Sequence, residues 1–111
     1  MESEVQGMKK TLDTMTREER SLLLFFESAV VDHAGAFEPT RLNHDDFKIA
    51  EQWRAEGFSS HGRIAFSDLE KLRPRTNWCE LSEEAIALAH EERRARAARM
   101  QAGRPWRKTI E

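Results

Sequence analysis

Four histidines and one cysteine are the side chains of this 111-residue chain best suited to hold a metal ion or to act as nucleophile and base. Their spacing argues against both roles. His33, His44, His61 and His90 fall in separate segments, and neither they nor Cys79 are paired at the short CxxC or HxxxH intervals of a zinc site. In the compact set His44-Asp45-Asp46, neighbours in sequence point to different sides of a helix. Cys79 lies between Trp78 and Glu80 with no nearby signature of an activating histidine, which reads as a buried structural thiol. Glycine-rich phosphate loops and nucleophile elbows are both missing, and the many carboxylates show no pairing that differs from a solvated face. These residues predict no catalytic site, no metal and no cofactor.

Charge is more informative. The formal net charge of −2 conceals two opposite parts. Between positions 93 and 108 stand Arg93, Arg94, Arg96, Arg99, Arg104, Arg107 and Lys108 with no acidic residue, a block of +7, while the rest of the chain holds 11 basic and 20 acidic side chains. Such a block suits a polyanion or a docking partner, or it merely solvates the end of a helix. The acidic body repels nucleic-acid phosphates, so the block is the part electrostatically suited to them. Lys71, Arg73 and Arg75 make a smaller basic cluster. Trp106 follows Pro105 among arginines, placed to stack on a base, to anchor a protein interface, or to fold back on its own domain. Trp78 alternates away from Cys79 and Leu81 along a strand and so covers the opposite face or meets a partner, whereas Trp53 shares an inward face with Phe47.

The elements that position these residues are mostly helical. Residues 1–14 lack apolar periodicity and read as a flexible leader. Thr16-Arg17-Glu18-Glu19 is a capping box that opens a helix over about 17–34, with Gly35 as a left-handed stop. Leu22 to Phe26, Ala29, Val30 and Val31 are apolar on more than one face, so this helix is the hub of the core or lends its surplus face to a dimer. Asn43 caps a second helix that ends at Gly57. Segment 36–42, with Pro39, is too short for more than one helical turn. Arg63-Ile64-Ala65-Phe66 and Asn77 to Leu81 are strand candidates, and Ser67-Asp68-Leu69-Glu70 between them is a capping box stopped by Pro74. The last helix opens at Ser82 and runs from Glu83 to about Ala102, some 30 Å, with little to bury in its second half.

The expected fold is mainly α with a small β-hairpin: one winged-helix-like domain over 15–90, extended by a long basic C-terminal helix and tail over 91–111. Helix, short connection, a helix ending Arg54-Ala55-Glu56-Gly57-Phe58, a hairpin, then Glu80-Leu81-Ser82-Glu83-Glu84-Ala85 leading into a helix resembles the winged helix-turn-helix superfamily, of which MarR- and PadR-type regulators are examples. The resemblance implies DNA binding and transcription regulation. It would place a groove-reading helix over Asn43 to Glu56 and a backbone- or minor-groove-gripping wing at Lys71, Arg73 and Arg75. The carried-over reading helix holds two basic and four acidic residues, which counts against conventional base reading. The chain is also similar in flavour to small proteins of prophages and mobile elements. Two partner classes stay open. One is nucleic acid, gripped by Lys71, Arg73, Arg75 and the Arg93-to-Lys108 block. The other is a host protein, bound by an adaptor or inhibitor through Trp78 and Trp106. Homodimerisation through the first and last helices is compatible with either. The longest apolar run has five residues, far short of the roughly 20 that span a membrane, and no signal segment is visible. With a single cysteine, these features suggest a cytoplasmic setting.

Overall fold

The computed structural model describes residues 10–109. Helix α1, Arg17–His33, begins at the capping box expected for it: the Glu19 amide donates to Thr16 Oγ1 at 3.1 Å, and the Thr16 amide donates to Glu19 Oε1 at 2.7 Å. It ends one residue before the expected stop, because Ala34 already turns left-handed at φ 54° and Gly35 follows at φ 94°. The glycine is needed for a second reason. A Cβ at position 35 would stand 2.5 Å from the Cys79 carbonyl oxygen, on the strand that Gly35 bonds through its own carbonyl.

Strand β1, Ala36–Phe37, and a single 3₁₀ turn at Pro39–Arg41 fill the short connection. Helix α2, His44–Glu56, is capped by Asn43, whose Oδ1 accepts from the Asp46 amide, and it stops at Gly57 with φ 76°. Then come β2 (Ser59–Arg63), a short helix α3 (Phe66–Leu72), β3 (Asn77–Leu81) and α4 (Glu83–Ala102), the last capped by Ser82. All three strands are antiparallel in the order β1-β3-β2, so the hairpin expected from β2 and β3 gains an unforeseen third strand at its edge. The molecule is mainly helical with this small sheet, a winged-helix-like arrangement carrying a long C-terminal helix.

Two expectations are corrected. The first strand of the hairpin was expected over Arg63 to Phe66, and it lies over Ser59 to Arg63. Ser59 and His61 are buried and paired opposite Leu81 and Cys79, so contact with β3 and α2 outweighs the weak strand preference of Ser-Ser-His-Gly. The connecting helix starts at Phe66 rather than from the Ser67 box, closed by the Asp68 amide on the Ala65 carbonyl at 2.9 Å. The residues just before α1 also touch the body. Met15 enters the core and Arg20 Nη1 donates to the Met15 carbonyl at 2.5 Å. Lys10 Nζ reaches Glu56 at 2.7 Å, and its ammonium sits 5.4 Å from the Phe58 ring centroid. Residues 1–9 of that leader lie outside the described residues.

The core gathers around α1. Phe26 meets Phe37 at 5.5 Å and Trp53 at 6.4 Å between ring centroids, and Trp53 meets Phe58 edge-on at 5.1 Å. Leu22, Leu23, Leu24 and Ala29 are buried in the same cluster with Ala85, Leu88 and Ala89 of α4. The sheet and α4 therefore cover the greasy faces of α1 within one chain, and Val31 is its exposed large apolar residue.

Candidate interaction surface

The basic block divides on α4. Arg93 turns to the body: its Nε donates to Glu27 Oε1 at 2.6 Å, and its Nη2 donates to the Leu24 carbonyl at 3.2 Å and to Ser28 Oγ. Arg96 Nε donates to Glu92 Oε2 at 2.6 Å, and Arg99 Nη2 reaches the same oxygen at 3.4 Å. Glu92 is 2% exposed and also faces Arg20 at 3.8 Å, so one buried carboxylate gathers three guanidinium groups along the α1–α4 seam. His90 Nε2 lies 3.6 Å from Glu27 on the same seam. Arg93 thus ties α4 to Glu27 of α1, whereas Arg96 and Arg99 pair with Glu92 on their own helix, Arg96 also donating to Ser21 Oγ of α1 at 3.3 Å. The i,i+4 spacing of Glu92 and Arg96 is a sequence signal for part of this. Glu27 and Arg93, 66 positions apart, offer none.

Beyond the seam the picture changes. Arg94, Arg107 and Lys108 are exposed. Arg104 Nε donates to the Gln101 carbonyl at 3.0 Å, and its guanidinium stacks 4.7 Å from the Trp106 ring centroid. Trp106 is 60% exposed and Met100 74%, and with Pro105 they line a shallow apolar hollow of about 380 Å³ beside Arg99 and Arg104. Trp106 therefore leans on its neighbouring arginine rather than on the domain core.

The wing cluster is dispersed. Lys71 and Arg73 are exposed at the end of α3, beside a helix whose Phe66 is 86% exposed, whereas Arg75 is half-buried and lines a cleft against α1. Lys71 belongs to the helix and Arg73 caps its end, whereas Arg75 lies beyond it after Pro74, its amide donating to the Leu72 carbonyl at 2.8 Å. Trp78 is half-buried, with its ring over Gly62 on the paired strand, where an added Cβ would meet it at 2.9 Å.

Cys79 is buried, donates weakly to the Phe26 carbonyl at 3.8 Å, and has its thiol pushed up to about 12 by burial and the neighbouring Glu80 charge. Among the described residues no three His, Cys, Asp or Glu side chains come together as a metal would need, and no helix is long and apolar enough to cross a membrane. Compared with known proteins, the chain matches no family model, no curated protein and no solved structure.

Proposed function

We propose that this chain is a non-enzymatic protein-interaction module of the winged helix-turn-helix type, an adaptor or inhibitor that docks the end of α4 onto an acidic protein surface bearing an apolar groove. The observation that carries this reading is the exposed Met100–Trp106 hollow with Arg104 stacked on the indole. Aromatic and arginine side chains held together at a rigid helix end are the usual anchors of protein interfaces. The exposed Arg107 and Lys108 follow Trp106 directly, and this positive charge selects an acidic partner. The order of helices and strands supports the winged-helix part of this reading.

The test uses the full chain and its Trp106→Ala variant to capture partners from a lysate of the source organism, followed by reconstitution from purified components. The expected result is a defined protein complex weakened about thirtyfold or more by W106A, with the fold unchanged. Capture of nucleic acid alone would overturn it.

A second reading, a nucleic-acid-binding regulator, draws support from Lys71 and Arg73 exposed close to Phe66. Against it stand the acidic α2 and the three arginines tied to Glu27 and Glu92. If this reading holds, duplex binding that engages about four phosphates falls with salt at a log–log slope of about −3.6. A slope near zero removes it.

A further inference from the structure

A cleft of about 480 Å³ opens between α1, β1 and the side chains of α4, within the range of roughly 300–1,000 Å³ that small-molecule sites occupy. Its apolar wall is formed by Phe25 and Phe37, whose rings meet edge-on at 5.9 Å. Four arginines line it: Arg41 from the 3₁₀ turn, Arg75 from the segment before β3, and Arg93 and Arg96 from α4. The last two are neutralised by Glu27 and Glu92. Arg75 is different. Its Nε is buried and has no hydrogen-bond partner among the described residues. Among the described residues no carboxylate pairs with Arg75, so its half-buried guanidinium is a positive charge in the cleft that an anionic group brought by a ligand can meet.

Asp32 and Glu38 also line the cleft, so its charge is nearly balanced. That balance disfavours a polyanion. It favours a ligand with one anionic group, hydroxyls that donate to carboxylates, and a flat apolar body for the aromatic wall.

We propose that this cleft binds a small phosphorylated molecule of the nucleoside monophosphate class. A phosphate oxygen accepts from the half-buried Arg75 guanidinium, with Arg41 supplying a second positive charge, sugar hydroxyls donate to Asp32 or Glu38, and the base lies against Phe25, which Phe37 backs from the core side. The site is separate from the Trp106 surface and needs no protein partner.

The test titrates adenosine 5′-monophosphate into the ¹⁵N-labelled full chain and follows the arginine Nε–H resonances, with adenosine and inorganic phosphate as separate arms. The expected result is a saturable shift of the Arg75 signal by the nucleotide, with adenosine and phosphate each weaker by about tenfold or more. Arg75→Gln should weaken binding by a similar factor while the backbone amide spectrum keeps its dispersion. Should R75Q disturb the fold, the exposed Arg41→Gln is expected to weaken binding severalfold on an unaltered one. No saturable shift up to about 10 mM nucleotide, or adenosine or phosphate binding as well as the nucleotide, would overturn the proposal. Because no protein partner is present, such a failure leaves the docking reading intact.

Discussion

Glu92 holds a negative charge inside the α1–α4 seam, with Arg96 at 2.6 Å, Arg99 at 3.4 Å and Arg20 at 3.8 Å. Its removal strands three cations, but their side chains keep between 29% and 63% exposure and can turn to water. Glu92→Ala is therefore expected to cost about 2 kcal/mol, below the 3–5 typical of a fully buried broken pair, read as a lower urea midpoint at unchanged m-value. Two glycines make a sharper contrast. Gly35→Ala combines φ 94° with a clash against the Cys79 carbonyl and should cost about 3 kcal/mol or more, whereas Gly57→Ala, with φ 76° and open space, should cost about 1. Equal losses at the two sites would show that the contact with β3 is not what constrains Gly35. Cys79 titrates only near 12 against an ordinary 9.0. The unfolded thiol ionises first, so its stabilising contribution is whole below pH 9 and is lost as pH rises from 9 towards 12. Disulfide-exchange reagents at pH 8 should accordingly label the native chain far more slowly than the denatured one.

Among the elements, legibility followed the caps. Thr16 with Glu19, Asn43 with Asp46, and Ser82 each mark a helix start by an interaction that closes within three residues, so local sequence suffices to place α1, α2 and α4. The sheet does not work that way. Strand β2 has poor strand formers and is defined by its pairing with β3, while Ile64-Ala65-Phe66, better on propensity, leaves the sheet after the Ile64 amide bonds the Thr76 carbonyl. The two-residue β1 carries no periodicity at all. The candidate surface was legible to the same degree. Trp106 and its arginine neighbours are contiguous in the chain, but the diversion of Arg93 to Glu27 is a tertiary contact. Gly62 and Trp78 give this scale its prediction. Gly62→Val drives a side chain into the indole and should cost about 2 kcal/mol with loss of near-ultraviolet tryptophan signal. By contrast Phe66→Ser, on a residue that touches little, should stay within about 0.5 kcal/mol.

For the whole molecule, the opposition of an acidic body and a basic end is partly consumed by folding and partly left over. Seam arginines neutralise Glu27 and Glu92. Lys10 does the same for Glu56, where burial pushes the carboxyl up and the Lys10 ammonium and the Gln52 amide more than offset it, leaving it below 4.5. Among the described residues, Arg104, Arg107 and Lys108 beside Trp106 and Arg94 farther up α4 pair with no carboxylate. A chain ending at Ala102 separates these two uses of the same charge. It loses Trp106 with Arg104, Arg107 and Lys108, all outside the core, so its thermal and urea midpoints should match the full chain within about 0.5 kcal/mol. Its complex with a protein partner should nevertheless be lost, because the apolar hollow and its anchor go together. If truncation instead lowers the midpoint by as much as Glu92→Ala does, the end of α4 belongs to the fold and is not a docking element. If the midpoint holds and the complex survives, the partner binds another face, with the Phe66, Lys71 and Arg73 edge of α3 next in line.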